Sequence, residues 1–496
     1  MNRNVSVQAA SPEPAQIKRT DLIFIESLEN ADKIHTMQYE FKNKKITVMG
    51  LGLFGGGGGV AQFLAKQGAR VTVTDLRNAS ELLPSLKQLE GLPISHKLGG
   101  HDEEDFINVD MVIVNPAVPK DSKYLQIARN NHVPVNTEIN IFFQWCPAPI
   151  IGITGSNGKS TTTTLTGKIL QETPRRAWVG GNIGKSLLSD LEEIKPSDIV
   201  VLELSSFQLE GLDDAQKSPH ISILTNISPN HLDRYSDMKE YIHAKKGIIN
   251  HQRRGDYAIL NYDDPELRMW KKECKCRVLW YSTKQTVTDG AFIKGNDVVI
   301  SVNGQNTVIP CVSRIKIPGI HNLQNILAAS CAAYLAGARE QHIEKATTTF
   351  TGLEHRLEFV REINGVWYYN DSKATTPESS IAAITAFQSQ VVLIAGGYDK
   401  GSSFREFAEA CAQNTKAVVL LGKTAEKIKE LLLKKMGTKE TPLIFIQKTF
   451  EDAFRRANSL AKKGDVVLLS PACASYDMFL NYEERGRKFK DMVQSL

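Results

Sequence analysis

The sequence has few of the features that mark disulfide scaffolds, membrane proteins and nucleic-acid binders. Its seven cysteines are an odd number scattered over 496 residues, without the paired spacing of a zinc site. No apolar run reaches the roughly 18 residues of a membrane helix, and the polar start has no apolar block typical of a signal peptide. The 60 basic residues nearly balance the 55 acidic ones, which leaves a net charge of only +5. These absences predict a cytoplasmic protein that spans no membrane and binds no nucleic acid.

Cys274 and Cys276 are the one closely spaced pair of cysteines in the sequence. A zinc site of the common type needs a second pair of ligands, and the sequence offers none at a suitable spacing. Reduced thiols are therefore the favoured interpretation of this pair.

What is present is the composition of a globular protein, with 42% hydrophobic and 23% charged residues. At roughly 150 residues per domain, the length predicts about three domains. In each of them, apolar strand-like runs alternate with helical segments, which predicts α/β folds built on mainly parallel sheets. We expect a partly mobile extension over residues 1–43, followed by domains over residues 44–139, 140–350 and 351–496.

The first domain opens with a strand, a glycine-rich turn, a helix and a second strand. The motif Gly50-x-Gly52-x-x-Gly55, with Asp75 at the end of the second strand, is typical of a Rossmann-like dinucleotide-binding domain. The expected helix covers residues 60–67. A single glycine motif is weak evidence, and five consecutive glycines are unusual because each glycine inside a helix costs about 1 kcal/mol against alanine.

The central domain begins with a phosphate-binding pattern over residues 152–161. This segment follows an apolar strand-like run and opens a helix expected over residues 159–172. Glycine lets backbone N–H groups turn toward phosphate oxygens, and the helix N-terminus adds a favourable dipole. Lys159 can then reach the terminal phosphates, and the hydroxyl of Ser160 or Thr161 can hold Mg²⁺. We expect a nucleotide site in a P-loop ATPase-like domain with a parallel sheet.

Two polar residues follow further apolar runs of the central domain. Glu203 lies near the end of the run over residues 199–204, and His231 lies in the loop after the run over residues 221–224. Parallel strands end at one edge of their sheet, so both side chains are expected beside the phosphate loop. A lone histidine in a loop is usually solvated. Its combination with a carboxylate and a phosphate loop favours a metal site.

Six segments of the sequence together resemble the Mur ligases. The resemblance covers about residues 44 to 494, and the motifs occur in order through all three domains. The Ser-Ser-Phe-Gln and Ser-Pro-Ala-Cys-Ala-Ser motifs are more specific than the phosphate loop. The segments are Gly152 to Thr163, Gly180-Gly-Asn-Ile-Gly184, Leu202-Glu-Leu-Ser-Ser-Phe-Gln-Leu209, His231-Leu-Asp-Arg-Tyr235, Asn370-Asp-Ser-Lys-Ala-Thr375 and Ser470-Pro-Ala-Cys-Ala-Ser475.

Within this family, the segments are most similar to those of the D-glutamate-adding members. The resemblance implies a ligase that adds D-glutamate to UDP-N-acetylmuramoyl-L-alanine and releases ADP and phosphate, in peptidoglycan precursor synthesis. Joining a carboxylate to an amine in water is unfavourable, so ATP would first convert the carboxylate into an acyl phosphate. The implied cofactors are ATP and Mg²⁺, with two ions expected. The implied partners are these small molecules, and we expect a monomer.

The resemblance also implies roles for residues of the central and third domains. The catalytic candidates are Lys159, Asn182, Glu203, His231 and Lys245. The metal-binding candidates are Ser160, Glu203, His231 and Lys245, and Lys245 corresponds to the family lysine that becomes carbamylated. The ATP-binding candidates are Gly155, Asn157, Gly158, Lys159, Ser160, Thr161, Asn322, Asn325, Arg356, Asp371 and Lys373. For Asn322, a role limited to capping its helix is the alternative.

Two further groups are implied to contact the other substrates. The candidates for the UDP substrate are Leu53, Phe54, Asp75, Arg77 and Asn182, so the Rossmann-like first domain would hold UDP. The candidates for the incoming amino acid are Lys400, Thr375, Ser475, Tyr476 and Tyr482. Lys400 would pair with the side-chain carboxylate of glutamate.

Three alternatives stay open at the level of the sequence. A Mur-type ligase could add a different amino acid, such as L-glutamate. The glycine motif of the first domain could indicate a nicotinamide-dependent oxidoreductase with an accessory nucleotide domain. A catalytically silent binding protein could retain the phosphate loop.

Overall fold

A computed structural model describes most of the chain after its first 39 residues. The described ranges are residues 40–52, 56–116, 118–183, 186–229, 234–399, 402–437 and 440–496. The predictions for Leu53, Phe54, His231, Lys400 and most of the extension therefore lie outside the described residues. The chain divides into two compact units, one over residues 1–150, 185–200 and 253–256, and one over residues 151–184, 201–252 and 257–496.

The first unit contains a five-stranded sheet in the order β3-β2-β1-β4-β5, with every pair parallel. This order matches the expected Rossmann-like fold. Its strands are β1 (Lys45–Met49), β2 (Arg70–Asp75), β3 (Ile94–Leu98), β4 (Met111–Val114) and β5 (Val135–Asn136). Its helices are α1 (Gly56–Lys66), α2 (Leu83–Gln88), α3 (Lys123–Asn130) and α4 (Glu138–Trp145), with short 3-10 turns at Glu103–Phe106 and Leu188–Asp190.

Helix α1 begins at Gly56 and so includes most of the glycine run, whereas the sequence predicts its start at residue 60. Close packing of the backbone explains why one of these positions is a glycine. A Cβ atom on Gly57 would lie 2.3 Å from the carbonyl oxygen of Gly50 and 2.5 Å from that of Leu51, so the helix packs directly on the loop after β1. A Cβ atom on Gly58 would make its nearest contact at 3.6 Å, an ordinary van der Waals distance.

We expect Gly58→Ala to raise the free energy of unfolding by about 0.5–1 kcal/mol, because alanine loses less backbone conformational entropy than glycine when the helix folds. Gly57→Ala is the matched control and should lower stability by about 1–3 kcal/mol through overpacking. Urea denaturation followed by circular dichroism measures both. A Gly57→Ala protein as stable as the wild type would contradict the packing seen at the start of α1.

The second unit contains two further sheets, so there is one sheet for each of the three expected α/β domains. The central sheet has nine strands in the order β14-β13-β12-β11-β10-β9-β6-β8-β7. Its strands are β6 (Ile150–Thr154), β7 (Ala177–Gly181), β8 (Ile199–Glu203), β9 (Ile221–Leu224), β10 (Tyr257–Asn261), β11 (Arg277–Ser282), β12 (Gly290–Lys294), β13 (Asp297–Val302) and β14 (Gln305–Ile309). Its helices are α5 (Lys159–Gln171), α6 (Ser206–Asp214), α7 (Met238–Asn250), α8 (Pro265–Trp270), α9 (Ile320–Leu335) and α10 (Glu340–Thr349), with a 3-10 turn at Val312–Arg314.

The pairing of the central strands follows their hydrophobic patterns. Strands β6, β9, β10, β11 and β12 pair in parallel, and the first four consist mostly of buried residues. The alternating pattern over residues 298–309 predicts an antiparallel hairpin, which the antiparallel pairing of β13 with β14 confirms.

The third sheet has six strands in the order β15-β16-β20-β17-β18-β19, and β15 pairs antiparallel with β16. Its strands are β15 (Glu358–Ile363), β16 (Val366–Asn370), β17 (Val391–Ala395), β18 (Thr415–Leu420), β19 (Leu443–Ile446) and β20 (Val466–Leu469). Its helices are α11 (Pro377–Ile384), α12 (Arg405–Asn414), α13 (Ala425–Met436), α14 (Phe450–Leu460) and α15 (Tyr482–Gln494). Two buried apolar clusters use alternate residues of the same strands, so both faces of this sheet are covered.

Candidate nucleotide-binding site

The loop between β6 and α5 is shaped by glycines that no other residue could replace without a clash. Gly155 and Gly158 have φ angles of +146° and +81°, which disfavour a side chain. A Cβ atom on Gly155 would lie 1.8 Å from the Thr225 hydroxyl, and one on Gly158 would lie 2.4 Å from Oδ1 of Asn325. The loop leads directly into the N-terminus of α5, where exposed N–H groups favour an anion.

Lys159 is the first residue of α5, and its ammonium group is folded back over the loop. Its Nζ donates to the carbonyl oxygens of Gly155 and Ser156, each at 2.9 Å. Burial lowers the pKa of Lys159 to about 8; Glu203 opposes this shift, while Arg356 and Lys373 add to it. The charges of Arg356 and Lys373 repel that of Lys159, and both side chains line the cavity beside the phosphate loop. A polyanion bound between them would relieve their repulsion.

Glu203 ends β8 with one oxygen bonded and one oxygen without a partner. Its Oε1 accepts from Nδ2 of Asn182 at 2.8 Å. Its Oε2 is buried and has no hydrogen-bond partner within the described residues. Because a buried carboxylate oxygen normally has a donor or a cation beside it, this position fits a metal ligand.

Two adjacent lysines on α7 have opposite environments. Lys245 is only 2% exposed, and its Nζ donates to the carbonyl oxygen of Gly155 at 3.0 Å and to Oγ1 of Thr154 at 3.3 Å. Burial, followed by the charge of Lys159, holds the pKa of Lys245 well below its ordinary value. Lys246 instead forms an ion pair with Glu273 at 2.5 Å. Lys245 is therefore the lysine that faces the phosphate loop, and its lowered pKa favours the neutral amine.

A cavity of about 410 Å³ opens beside the phosphate loop, between the central and third sheets of the second unit. Asn157, Gly158 and Thr161 line one side of it, and residues from the start of α9 and from the third sheet's loops line the rest. Its volume suits a nucleoside. The cavity lining also includes polar residues that the sequence analysis did not select, among them Thr225, Asn226, Tyr281 and His321.

The first turn of α9 contributes two asparagines to this cavity. Nδ2 of Asn322 donates to the Pro318 carbonyl oxygen at 2.6 Å, and Nδ2 of Asn325 donates to Oδ1 of Asn322 at 3.3 Å. The N-cap of α9 is Gly319, without a side-chain capping bond, and the Asn322 side chain bonds the carbonyl of the residue before this cap, so its contact with a nucleotide stays a prediction. Burial, followed by the charge of Arg356, lowers the pKa of the neighbouring His321 to about 4, so this imidazole is neutral at pH 7.

The third sheet brings Arg356, Asp371 and Lys373 to the opposite wall of the cavity. Asp371 organises them, because its Oδ1 accepts from the Leu357 backbone N–H at 3.1 Å and its Oδ2 accepts from the Ser470 hydroxyl at 2.7 Å. Burial raises the pKa of Asp371 to about 7, although these hydrogen bonds and Arg356 oppose the shift.

The described candidates for the incoming amino acid lie on loops around the third sheet and, for Tyr482, at the start of α15. The Tyr482 ring lies 5.8 Å from Nζ of Lys373, and the Thr375 backbone N–H donates to the Lys373 carbonyl oxygen at 2.9 Å. Tyr476 is exposed and its ring lies 6.2 Å from that of Tyr398. Ser475 is buried in the same loop as Tyr476.

In the first unit, Asp75 fixes two loops at the end of β1 and β2. Its Oδ2 accepts from the Gly52 N–H at 3.1 Å, and its Oδ1 accepts from the Arg77 N–H at 2.9 Å. The Arg77 side chain is exposed beside it. The contacts of both residues with a UDP group stay a prediction.

Two other kinds of site are absent from the described residues. No helix in the described ranges has the length and apolar character needed to cross a membrane. Those ranges also contain no group of three or more His, Cys, Asp and Glu side chains arranged to hold a metal ion.

Three family models match successive parts of the chain. The Mur ligase MurD-like N-terminal domain matches residues 44–137. The Mur ligase middle domain matches residues 153–333. The glutamate ligase domain of Mur ligases matches residues 355–473.

Curated proteins and solved structures agree with these matches. A UDP-N-acetylmuramoylalanine–D-glutamate ligase of Thermoanaerobacter pseudethanolicus is 43% identical over 457 residues, which cover 92% of this chain and 99% of that protein. The ligase of the same name from a Roseiflexus species is 44% identical over 467 residues, with 92% and 99% covered. The crystal structure of UDP-N-acetylmuramate-alanine ligase from Thermotoga maritima has the same fold, with a TM-score of 0.57 at 19% identity over 91% of this chain and all of that one. The chain therefore belongs to the Mur ligase family.

Proposed function

We propose that the protein is an ATP-dependent ligase that adds D-glutamate to the carboxylate of UDP-N-acetylmuramoyl-L-alanine, with release of ADP and phosphate, in peptidoglycan synthesis. The curated relatives with this activity in their names match along 92% of the chain. One structural observation carries the chemistry: Arg356 and Lys373 line the same cavity as the glycine loop, and Lys159 begins the helix that follows this loop. This is the arrangement that phosphoryl transfer between two anions requires.

The nucleotide would lie across the cavity between the central and third sheets. Its phosphates would lie on the loop over residues 155–158, and its base and ribose would lie near Asn322 and Asn325. The MurF ligase of Thermotoga maritima, which has the same fold with a TM-score of 0.54 at 18% identity, has been solved in complex with ADP. In this chain Arg356 and Lys373 come from the third domain, so phosphate binding would depend on residues of both domains.

Mg²⁺ fits the donor set beside the loop. Glu203 offers a buried oxygen without a partner in the described part of the chain, and Ser160 offers a buried hydroxyl at the start of α5. A neutral Lys245 amine can react with carbon dioxide to give a carbamate, whose oxygens would be further ligands together with His231. Bound magnesium would supply positive charge to the phosphate oxygens during transfer.

The protein's own groups would then direct the reaction in two steps. Lys159, with Arg356 and Lys373, would hold the terminal phosphate while the alanyl carboxylate attacks it to form an acyl phosphate. Asn182 would orient the reacting phosphate from its place beside Glu203. The amine of glutamate would displace the phosphate, with Lys400, Thr375, Ser475, Tyr476 and Tyr482 as the groups proposed to bind its carboxylates.

Incubation with ATP, D-glutamate and UDP-N-acetylmuramoyl-L-alanine labelled with heavy oxygen in its carboxylate tests this function. We expect one labelled oxygen to move into inorganic phosphate, because the acyl phosphate breaks at its acyl carbon. Label in AMP would indicate adenylation instead. Parallel assays with L-glutamate, lysine and diaminopimelate test the amino acid, and preference for any of these would overturn D-glutamate. An absorbance change with NADH would favour the oxidoreductase alternative.

A further inference from the structure

The segment between α8 and β11 combines two cysteines with dense positive charge. Its sequence is Lys271-Lys-Glu-Cys-Lys-Cys-Arg277, with four cations and one acid among the side chains that flank or separate the thiols. All seven cysteines of the chain are described and are thiols. Five of them are buried, whereas Cys274 and Cys276 are partly exposed. The pair is therefore accessible to a small reagent and lies in a basic environment.

The two thiols of this segment meet each other. The chain bends at Lys275 and Cys276, and the Cys274 thiol forms a hydrogen bond with that of Cys276. The single S–H of Cys276 can be donated either to the Cys274 sulfur or to Oε1 of Gln252, which lies 3.1 Å from Sγ of Cys276. Gln252 is only 1% exposed, and its Nε2 donates to the carbonyl oxygens of Pro219 and Tyr257. The buried amide of Gln252 thus holds the Cys276 side chain in place beside the Cys274 sulfur. Less conformational entropy is therefore lost when the two sulfurs form a disulfide.

The charges around the pair favour a thiolate at Cys274. The hydrogen bond with Cys276 lowers the pKa of Cys274, and Lys246 adds to this effect, although burial and Glu273 oppose it. A thiolate in a partly exposed, electropositive place is the nucleophilic form of cysteine. By contrast, burial raises the pKa of Cys331 to about 12 and that of Cys473 to about 11. The chain therefore separates one reactive pair from unreactive buried thiols.

We propose that Cys274 and Cys276 form a redox site that closes to a disulfide by exchange with a small anionic disulfide. In the first step, the Cys274 thiolate attacks one sulfur of the reagent and releases its other half as a thiolate. In the second step, the Cys276 thiol loses its proton and attacks the Cys274 sulfur, which releases the second half. The protein loses two electrons and two protons, and the small disulfide is reduced to two thiols.

Oxidised glutathione is the probe, because it is an anionic disulfide that the basic segment should attract. The reduced full chain is incubated with it, remaining thiols are blocked with N-ethylmaleimide, and a glutamate-specific protease gives fragments for mass spectrometry. This protease cuts after Glu273 and Glu340, so one fragment contains Cys274 and Cys276 together with Cys311 and Cys331. We expect tandem mass spectrometry of that fragment to show a disulfide between Cys274 and Cys276 that dithiothreitol opens, while Cys311, Cys331 and, on another fragment, Cys473 are blocked by maleimide.

Two variants decide whether the pair acts as a unit. Cys276→Ser should stop the reaction after its first step and leave one glutathione on Cys274, whereas Cys331→Ser should close the disulfide like the wild type. In the folded protein, limiting maleimide should label Cys274 at least tenfold faster than Cys473. The proposal fails if wild-type Cys274 and Cys276 each retain a glutathione without closing. It also fails if maleimide labels Cys274 no faster than Cys473.

Discussion

Lys159→Ala is expected to lower the rate of ADP formation by about 10³-fold or more, because the proposed phosphate site would lose the cation of its glycine loop. Lys159 is held at the start of α5 by two carbonyl oxygens of the phosphate loop. Its charge persists there even though burial lowers its pKa to about 8. A coupled assay of ADP release with all three substrates measures the effect. Turnover equal to that of the wild type would overturn both the site and the ligase function.

Lys168→Ala is the matched control for this experiment, because Lys168 lies on the same helix but is exposed, with its Nζ 5.9 Å from the centre of the Phe350 ring. We expect near-wild-type activity from it. A second readout separates lost binding from misfolding. ADP should raise the melting temperature of the wild type and of Lys168→Ala, and should raise that of Lys159→Ala much less. A Lys159→Ala protein that is unfolded without ligand would make the activity loss uninformative, so circular dichroism is recorded for each variant.

The phosphate loop could be predicted from the sequence because its requirements are local. Strand β6, the glycine turn and the start of α5 follow each other directly in the chain. The reason for Gly158 itself is not local, since its missing side chain leaves room for Asn325, more than 160 residues later. Spacing alone does not show this contact. The same holds for His321 and Tyr281, which reach the cavity through the packing of α9 and β11.

The orientation of side chains on α7 determines which of two adjacent lysines faces the phosphate loop. Lys245 and Lys246 are adjacent, and the sequence distinguishes them only through a family resemblance. In the structure, α7 turns Lys245 into the protein and leaves Lys246 half-buried beside Glu273. A helix rotates by about 100° per residue, so a shift of one position would place Lys246 at the phosphate loop instead.

The edge strand β15 shows why periodicity missed part of the fold. Its sequence, Glu358–Ile363, carries two glutamates and one arginine, and its residues are half-buried or exposed. Charged residues are common on edge strands, where they prevent pairing with other chains. Such a strand has little hydrophobic alternation to detect. It pairs with β16 and so belongs to the sheet that positions Asp371.

Glu203→Gln is expected to lower turnover by about 10²-fold or more at a fixed magnesium concentration, because an uncharged amide is a much weaker ligand for a hard cation. The substitution keeps the shape of the side chain. Its amide oxygen can still accept the hydrogen bond that Glu203 receives from Nδ2 of Asn182, at 2.8 Å in the structure. The effect of Glu203→Gln therefore reports mainly on Oε2, which has no hydrogen-bond partner in the described residues. It reports much less on the packing at the end of β8.

The dependence of this variant on magnesium distinguishes a metal ligand from a residue that only organises the loop. If Glu203 binds the cation, the magnesium concentration that gives half-maximal activity should rise at least tenfold in Glu203→Gln, and added magnesium should restore part of the turnover. If Glu203 only positions Asn182, turnover should fall without any change in that concentration. Glu172→Gln, which removes a surface carboxylate paired with Lys345, serves as the control and should leave both quantities unchanged. An unchanged magnesium dependence in Glu203→Gln would therefore exclude this carboxylate from the metal site, while leaving the nucleotide loop and its three cations in place.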